Sequence, residues 1–113
     1  MEIIVKAFES ATVLDVQAPR IDAAVAIQFK DKVRAAVSEG TGRVILDLSQ
    51  VEFLDSSGLG AVVAAMKQLG KERPLELAAL SPKVDKVMKL TCMDRVFTIH
   101  ETVAAALLSE NVA

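Results

Sequence analysis

FLDSSGLGAV, residues 53–62, decides how the rest of this chain is read. Two apolar residues, Phe53 and Leu54, run into Asp55; two serines follow, then Gly58 and Gly60 on either side of Leu59. Downstream, Leu59, Val62, Val63, Met66 and Leu69 recur at a helical spacing that Gly70 closes. The stretch is a strand-like segment that becomes a helix within two or three residues. The first N–H groups of such a helix have no partner inside it, and either serine can serve as its N-cap. Gly58 and Gly60 permit a close backbone approach or an unusual φ near the helix start. Capping alone accounts for D-S-S-G, and four chemical readings compete with it.

A nucleophile elbow needs glycines two residues before and two after its serine. Gly58 satisfies the second for Ser56, but Leu54 occupies the first, and the chain's one imidazole, His100, lies far along it. A P-loop needs a lysine after its second glycine, and none is there. A helix N-terminus with glycines can hold an anion. Finally, a serine here can carry a phosphate. The phosphate adds about -1.5 to -2 charges, part of which the helix macrodipole would offset. The fold would then survive modification, and the effect would fall on whatever docks at the turn.

Working outward, residues 2–8 and 11–16 are β-branched and apolar runs split by Glu9 and Ser10, and predict a hairpin. From Ile21 the period changes. Ile21, Val25, Phe29, Val33 and Val37 recur every four residues and predict an amphipathic helix with Gly40 after its end. Residues 43–48 form a near-continuous apolar run with Asp47 inside it, as expected of a central strand. Residues 75–80 predict another strand. Ser81-Pro82 starts a helix with Pro at its first position, and Val84, Val87, Met88 and Thr91 form the inner face. A last strand over 96–100 and a helix over 101–108, with Val103, Ala106 and Leu107 inward, complete the order β-β-α-β-α-β-α-β-α. That alternation predicts one α/β domain over residues 1–113, with a mixed sheet of four or five strands packed by about four helices.

Composition agrees with a globular domain. The 113 residues are 52% hydrophobic and 25% charged, with net charge -2. A chain this long buries roughly two thirds of its unfolded surface. The charge gives no electrostatic footprint for nucleic acid, and the absence of Trp and Tyr removes the usual stacking platform. No apolar run approaches the ~20 residues of a membrane span. The opening MEIIVKAFES reads as a strand and not as a signal peptide. One cysteine, Cys92, forms no internal disulfide. A cytoplasmic protein without a membrane or nucleic-acid partner is expected, and nothing in the sequence calls for a cofactor or metal.

VILDLSQVEFLDSSGLGAVVAAMKQLG, residues 44–70, resembles the central signature of bacterial anti-sigma factor antagonists, the STAS-domain family. The likeness rests on the apolar strand with Asp47, the approach S-x-V-x-F-L-D, the D-S-S-G-L-G core and the helix after it. It runs in element order from about Ile3 to Leu108. The resemblance implies a non-enzymatic STAS fold whose phosphorylated serine, the one directly after the Asp, matches Ser56, with Ser57 as runner-up. It implies a partner that is both anti-sigma factor and serine kinase, bound when Ser56 is unmodified so that a sigma factor is released. The kinase would use its own ATP and magnesium, and a metal-dependent serine phosphatase would reset the switch. The contact would take in Asp22, Asp55, Ser56, Ser57, Gly58, Leu59, Gly60, Ala61 and Ala64. The alternative within the family is an accessory subunit of a transport ATPase, or a signalling scaffold, with no sigma-factor role.

Two departures from the family pattern stand out. Ile21-Asp22 matches the end of the family's G-x-[LI]-D loop, but the glycine is absent and the stretch reads Ala18-Pro19-Arg20-Ile21-Asp22. Asp22 read locally is an N-cap for the first helix. Cys92 stands where a glycine is common; read locally it is a small buried residue. His100 reads as a strand-end surface residue, and Met66, Met88 and Met93 read as core fillers. Lys83, Lys86 and Lys89 read as a solvated helix edge. Ala61, Ala64 and Ala65 lie beside the Leu/Val stripe and would give a flat surface near Ser56.

Overall fold

The computed structural model describes residues 1–38 and 42–109, so Gly40, expected to end the first helix, lies outside the described residues. The hairpin is present as β1, Glu2–Ala7, antiparallel to β2, Ala11–Gln17. Its turn closes where the Phe8 N–H donates to the Ala11 carbonyl at 2.8 Å. Then come β3 (Arg20–Ile21), α1 (Ala26–Val37), β4 (Arg43–Asp47), β5 (Phe53–Leu54), α2 (Ser56–Leu69), β6 (Leu75–Ala78), α3 (Pro82–Leu90), β7 (Thr98–His100) and α4 (Val103–Leu108). The main sheet has five strands in the order β1-β2-β4-β6-β7, with every pair after the hairpin parallel. The mixed sheet and its four helices match the expectation from the sequence.

Side-chain alternation along the strands divides the interior. Leu14, Val16, Val44, Leu46 and Leu77 point to the face covered by α1, α2 and α3, where they meet Phe29, Val33, Val62 and Met88. Ala11, Val13, Ile45 and Ala78 point to the other face, where Ala106 of the short α4 covers them. Burying each large apolar side chain contributes about 1.5–3 kcal/mol against chain entropy.

Several local readings are corrected. Ile21 is not helical: it is fully buried in β3, and α1 begins only at Ala26. Its four-residue spacing to Val25 and Phe29 was shared by a strand residue that needs burial for its own reasons. Cys92 is exposed and not buried. It sits just past α3 at φ 60°, ψ 20°, the left-handed region. That backbone state, natural for glycine, reverses the chain there and turns the side chain outward. Thr91 is exposed as well; its hydroxyl donates to the Val87 carbonyl at 2.7 Å. Met88 is fully buried, as expected of a core filler, while Met66 and Met93 lie at the core's margin.

Candidate functional site

The turn at Asp55 is built by a two-stranded ribbon that the sequence did not announce. β3 and β5 pair in parallel, Arg20 with Phe53 and Ile21 with Leu54. Leu54 and Ile21 are buried, so alternation turns Phe53 outward. The next residues along the two strands are Asp22 and Asp55, so the ribbon sets side by side two positions read from separate stretches of sequence.

Asp55 is the N-cap of α2. Its backbone is extended, at φ -98° and ψ -173°, and its Oδ1 accepts from the Gly58 N–H at 2.8 Å. The first helical bond runs from the Leu59 N–H to the Asp55 carbonyl. Neither serine caps, which corrects the expectation that one of them would. Ser56 and Ser57 are the first two residues of the helix, both exposed. Among the described residues neither hydroxyl makes a hydrogen bond within the chain. A capping side chain leaves from outside the helix; with Asp55 in that place, both hydroxyls are left free.

Gly58 is required by packing. A Cβ there would lie 1.9 Å from the Ile21 carbonyl oxygen, so the first turn of α2 presses directly on β3. Gly60 is exposed and has nothing within 4 Å of an added Cβ, so no close approach explains it. The alanine surface is also corrected. Ala61 and Ala65 are 3% and 2% exposed and belong to the core; Ala64 is half-buried. The contact set therefore divides. Ser56, Ser57 and Gly60 face solvent, Asp22, Asp55, Leu59 and Ala64 are half-buried, and Gly58 and Ala61 lie beneath the surface as supports.

Asp22 does not cap α1, whose N-cap is Val25 with no side-chain bond. Instead its Oδ1 accepts from the Ala24 N–H at 3.1 Å, closing a turn, and its Oδ2 lies 3.1 Å from Arg20 Nε. The Arg20 guanidinium stacks 4.9 Å from the centre of the Phe53 ring. Phe53 and Arg20 thus border the site, and the sequence reading missed both. A period-two argument would have found Phe53, because a buried Leu54 forces its neighbour out. Ile27, in the first turn of α1, is 70% exposed.

A second polar cluster lies elsewhere on the sheet. Glu76 of β6 is only 2% exposed. Its two carboxylate oxygens accept from Arg43 Nε and Nη2 at 2.7 and 2.6 Å, and Oε1 also lies 2.7 Å from His100 Nε2. Burial pushes the Glu76 carboxyl up, but the hydrogen bonds from Arg43 and His100, with their charges, outweigh it and hold the group below the usual carboxylate range. Arg43 also donates to the Ala106 and Ser109 carbonyls at 2.8 and 2.9 Å, tying the end of α4 to the sheet. His100 is therefore half-buried in an ion-pair network, which corrects its reading as a surface residue. Lys83, Lys86 and Lys89 are exposed, with Lys89 paired to Asp85 along α3, as a solvated edge should be. Among the described residues no helix is long and apolar enough to cross a membrane.

The chain matches the STAS domain over residues 2–106. A Thermotoga maritima protein named provisionally as an anti-sigma factor antagonist is 34% identical over 73 residues, 63% of this chain and 64% of that protein's length. The crystal structure of an anti-sigma factor antagonist from Mycobacterium paratuberculosis superposes with a TM-score of 0.83 at 30% identity, covering 94% of this chain and 90% of that one. SpoIIAA in its unphosphorylated form shares the fold, with a TM-score of 0.73 at 23% identity over 94% and 93% of the two chains.

Proposed function

This chain belongs to the STAS domain family, and from that premise we propose that it is a cytoplasmic anti-sigma factor antagonist switched by phosphorylation of Ser56. Unmodified, it binds an anti-sigma factor that is also a serine kinase and thereby frees a sigma factor. The kinase transfers phosphate from its own ATP to the Ser56 hydroxyl, and the complex separates. A serine phosphatase restores the binding form. The chain itself is a regulated binding module and not a catalyst.

One observation carries this reading. The Ser56 hydroxyl is exposed at the first residue of α2, while Asp55 already does the capping. The hydroxyl is free to be modified without removing a bond the fold uses. Magnitudes then decide where a phosphate acts. Negative charge at a helix N-terminus gains about 0.3–1 kcal/mol from the exposed N–H groups. Like charge pressed against like charge across a contact costs several kcal/mol. The Asp22 carboxylate is neutralised by Arg20, Asp55 holds the Gly58 N–H, and the unmodified serines add no charge to this surface. An added phosphate therefore leaves the domain folded and repels a partner that sets an acidic or apolar contact against the free hydroxyls.

The test takes the anti-sigma factor kinases of the source organism one by one with ATP and magnesium, and maps phosphate by mass spectrometry. Modification is expected at Ser56 and not at Ser57. In titration calorimetry Ser56→Ala binds the same partner as wild type does, and Ser56→Asp binds at least about tenfold more weakly, ~1.4 kcal/mol. Wild-type affinity of Ser56→Asp for every partner would sink the switch.

A further inference from the structure

The two edges of the main sheet are built differently. β7 is three residues long, one of the ways a sheet protects its edge from pairing. β1 has six residues, and its register with β2 runs without a bulge from Glu2↔Gln17 to Ala7↔Thr12. It holds no proline, and Ile4 and Val5 are 40% and 48% exposed. Such an edge offers a full row of backbone donors and acceptors for another strand.

The sequence of β1, EIIVKA, is self-complementary when run antiparallel to itself about Ile4. Ile4 then faces its own copy. Ile3 faces Val5, two β-branched residues that pair well across strands. Glu2 faces Lys6, and the two-fold axis produces that ion pair twice. Residues 2, 4 and 6 share one face and 3 and 5 the other, so every pair matches in both side and chemistry. A shift of one or two residues would lose the charge matches. Glu2 has no ion-pair partner among the described residues. Lys6 has only a loose one, 3.8 Å from Asp15 with its side chain 53% exposed.

We infer that the chain self-associates through β1, two copies joining edge to edge into a continuous ten-stranded sheet. The occupant of the β1 edge is thus a second copy of this chain. Because the β1 strands run antiparallel, their two sheets do too, and the two Ser56 turns sit at opposite ends of the dimer. Both stay free for a partner. The contact is small beside the roughly 1,200 Å² of stable interfaces, so the dimer is weak. The inference does not depend on the switch at Ser56.

Sedimentation equilibrium of the chain, with any purification tag at the C-terminus, tests it over roughly 5 µM to 1 mM, the range where so small a contact would dissociate. Wild type is expected to rise from monomer toward dimer mass. Glu2→Lys sets like charges against each other at both ion pairs and weakens self-association about tenfold or more. Lys6→Glu does the same from the other side. An equimolar mixture of these two variants restores association, because each lysine at position 2 or 6 then meets a glutamate. Lys6→Glu also lies diagonally beside Asp15, so Ile4→Lys provides a second, independent arm. It opposes two lysines at the axis and gives Asp15 a partner within the hairpin. Urea unfolding confirms that each variant is folded. A wild type that stays monomeric throughout, a Glu2→Lys or Ile4→Lys that dimerises as wild type does, or a mixture no stronger than its components would each overturn the proposal.

Discussion

The Ser56 turn sits at the start of α2, the Arg43–Glu76–His100 cluster on the sheet itself across β4, β6 and β7, and they spend their polar groups in opposite ways. At the turn, Asp55 closes the helix start and two hydroxyls are left at the surface. In the cluster, each Glu76 oxygen is occupied, and Arg43 also donates to the Ala106 and Ser109 carbonyls. A buried charge must be fully paired, or it costs more than the fold can spare. A surface hydroxyl carries no such demand and is free for another molecule. Stability and function are therefore expected to separate: changes in the cluster should destabilise the protein, and changes at the serines should leave the fold intact while altering binding.

Glu76→Ala gives the largest expected effect. It leaves the Arg43 guanidinium, 13% exposed, without its carboxylate, and breaking a buried pair from one side costs about 3–5 kcal/mol. For a domain whose total stability is about 5–15 kcal/mol, the loss should be plain in the urea midpoint. Amide exchange should also quicken in α4, which Arg43 ties down. A loss below about 1 kcal/mol would mean that the cluster behaves as an ordinary surface pair and would remove the contrast. The same network fixes an acid limb. The Glu76 carboxyl is depressed in the folded chain, so its contribution is fully present above the unfolded carboxyl's pKa. It is lost as pH falls through that value toward the lower folded one. Glu76→Gln should flatten this part of the stability profile; an unchanged acid limb would show that other carboxylates carry it.

Next in size is Asp55→Ala. It removes the one side-chain cap of α2, at about 1 kcal/mol. This variant sharpens the comparison, because Asp55 belongs to both categories: it supports the helix and borders the proposed contact surface. Binding should fall by more than the loss of stability explains, measured as affinity against the urea midpoint. A purely structural Asp55 would leave the affinity of the folded fraction unchanged.

The two regions also differ in how far the sequence reveals them. D-S-S-G-L-G is contiguous, and local turn chemistry with helical spacing placed its strand, its helix start and its exposed serine. The order of elements and the five-stranded sheet were legible for the same reason: periodicity is local. Arg43, Glu76 and His100 come from three strands and meet only after the parallel register is set. Nothing near any of them signals the others, so His100 was read as a surface residue. The ribbon that joins Asp22 to Asp55 escaped for a related reason, since two-residue strands carry no period. Ala61 and Ala65 misled differently. Their small size suggested a surface, but small residues also let helices pack closely, and here they are in the core.

The smallest expected effect is the most discriminating. Ser56 and Ser57 are adjacent in sequence, both exposed, and both free of hydrogen bonds among the described residues. Stability should not distinguish them: Ser56→Ala and Ser57→Ala should each shift unfolding by less than about 0.5 kcal/mol, as exposed sites do. A cap serine would cost about 1 kcal/mol on the same change, so a loss of that size at either position would mean that the hydroxyl shares the work of Asp55. Only phosphate transfer should tell the serines apart. On an α-helix consecutive residues point about 100° apart, so the hydroxyls at positions 56 and 57 leave the turn in different directions. A kinase docked on Asp55 and Phe53 can reach one direction and not both. Ser57→Ala should therefore accept phosphate at the wild-type rate and Ser56→Ala should accept none. Equal labelling of both single variants would mean that the turn is merely accessible, without the orientation that the proposed switch at Ser56 needs.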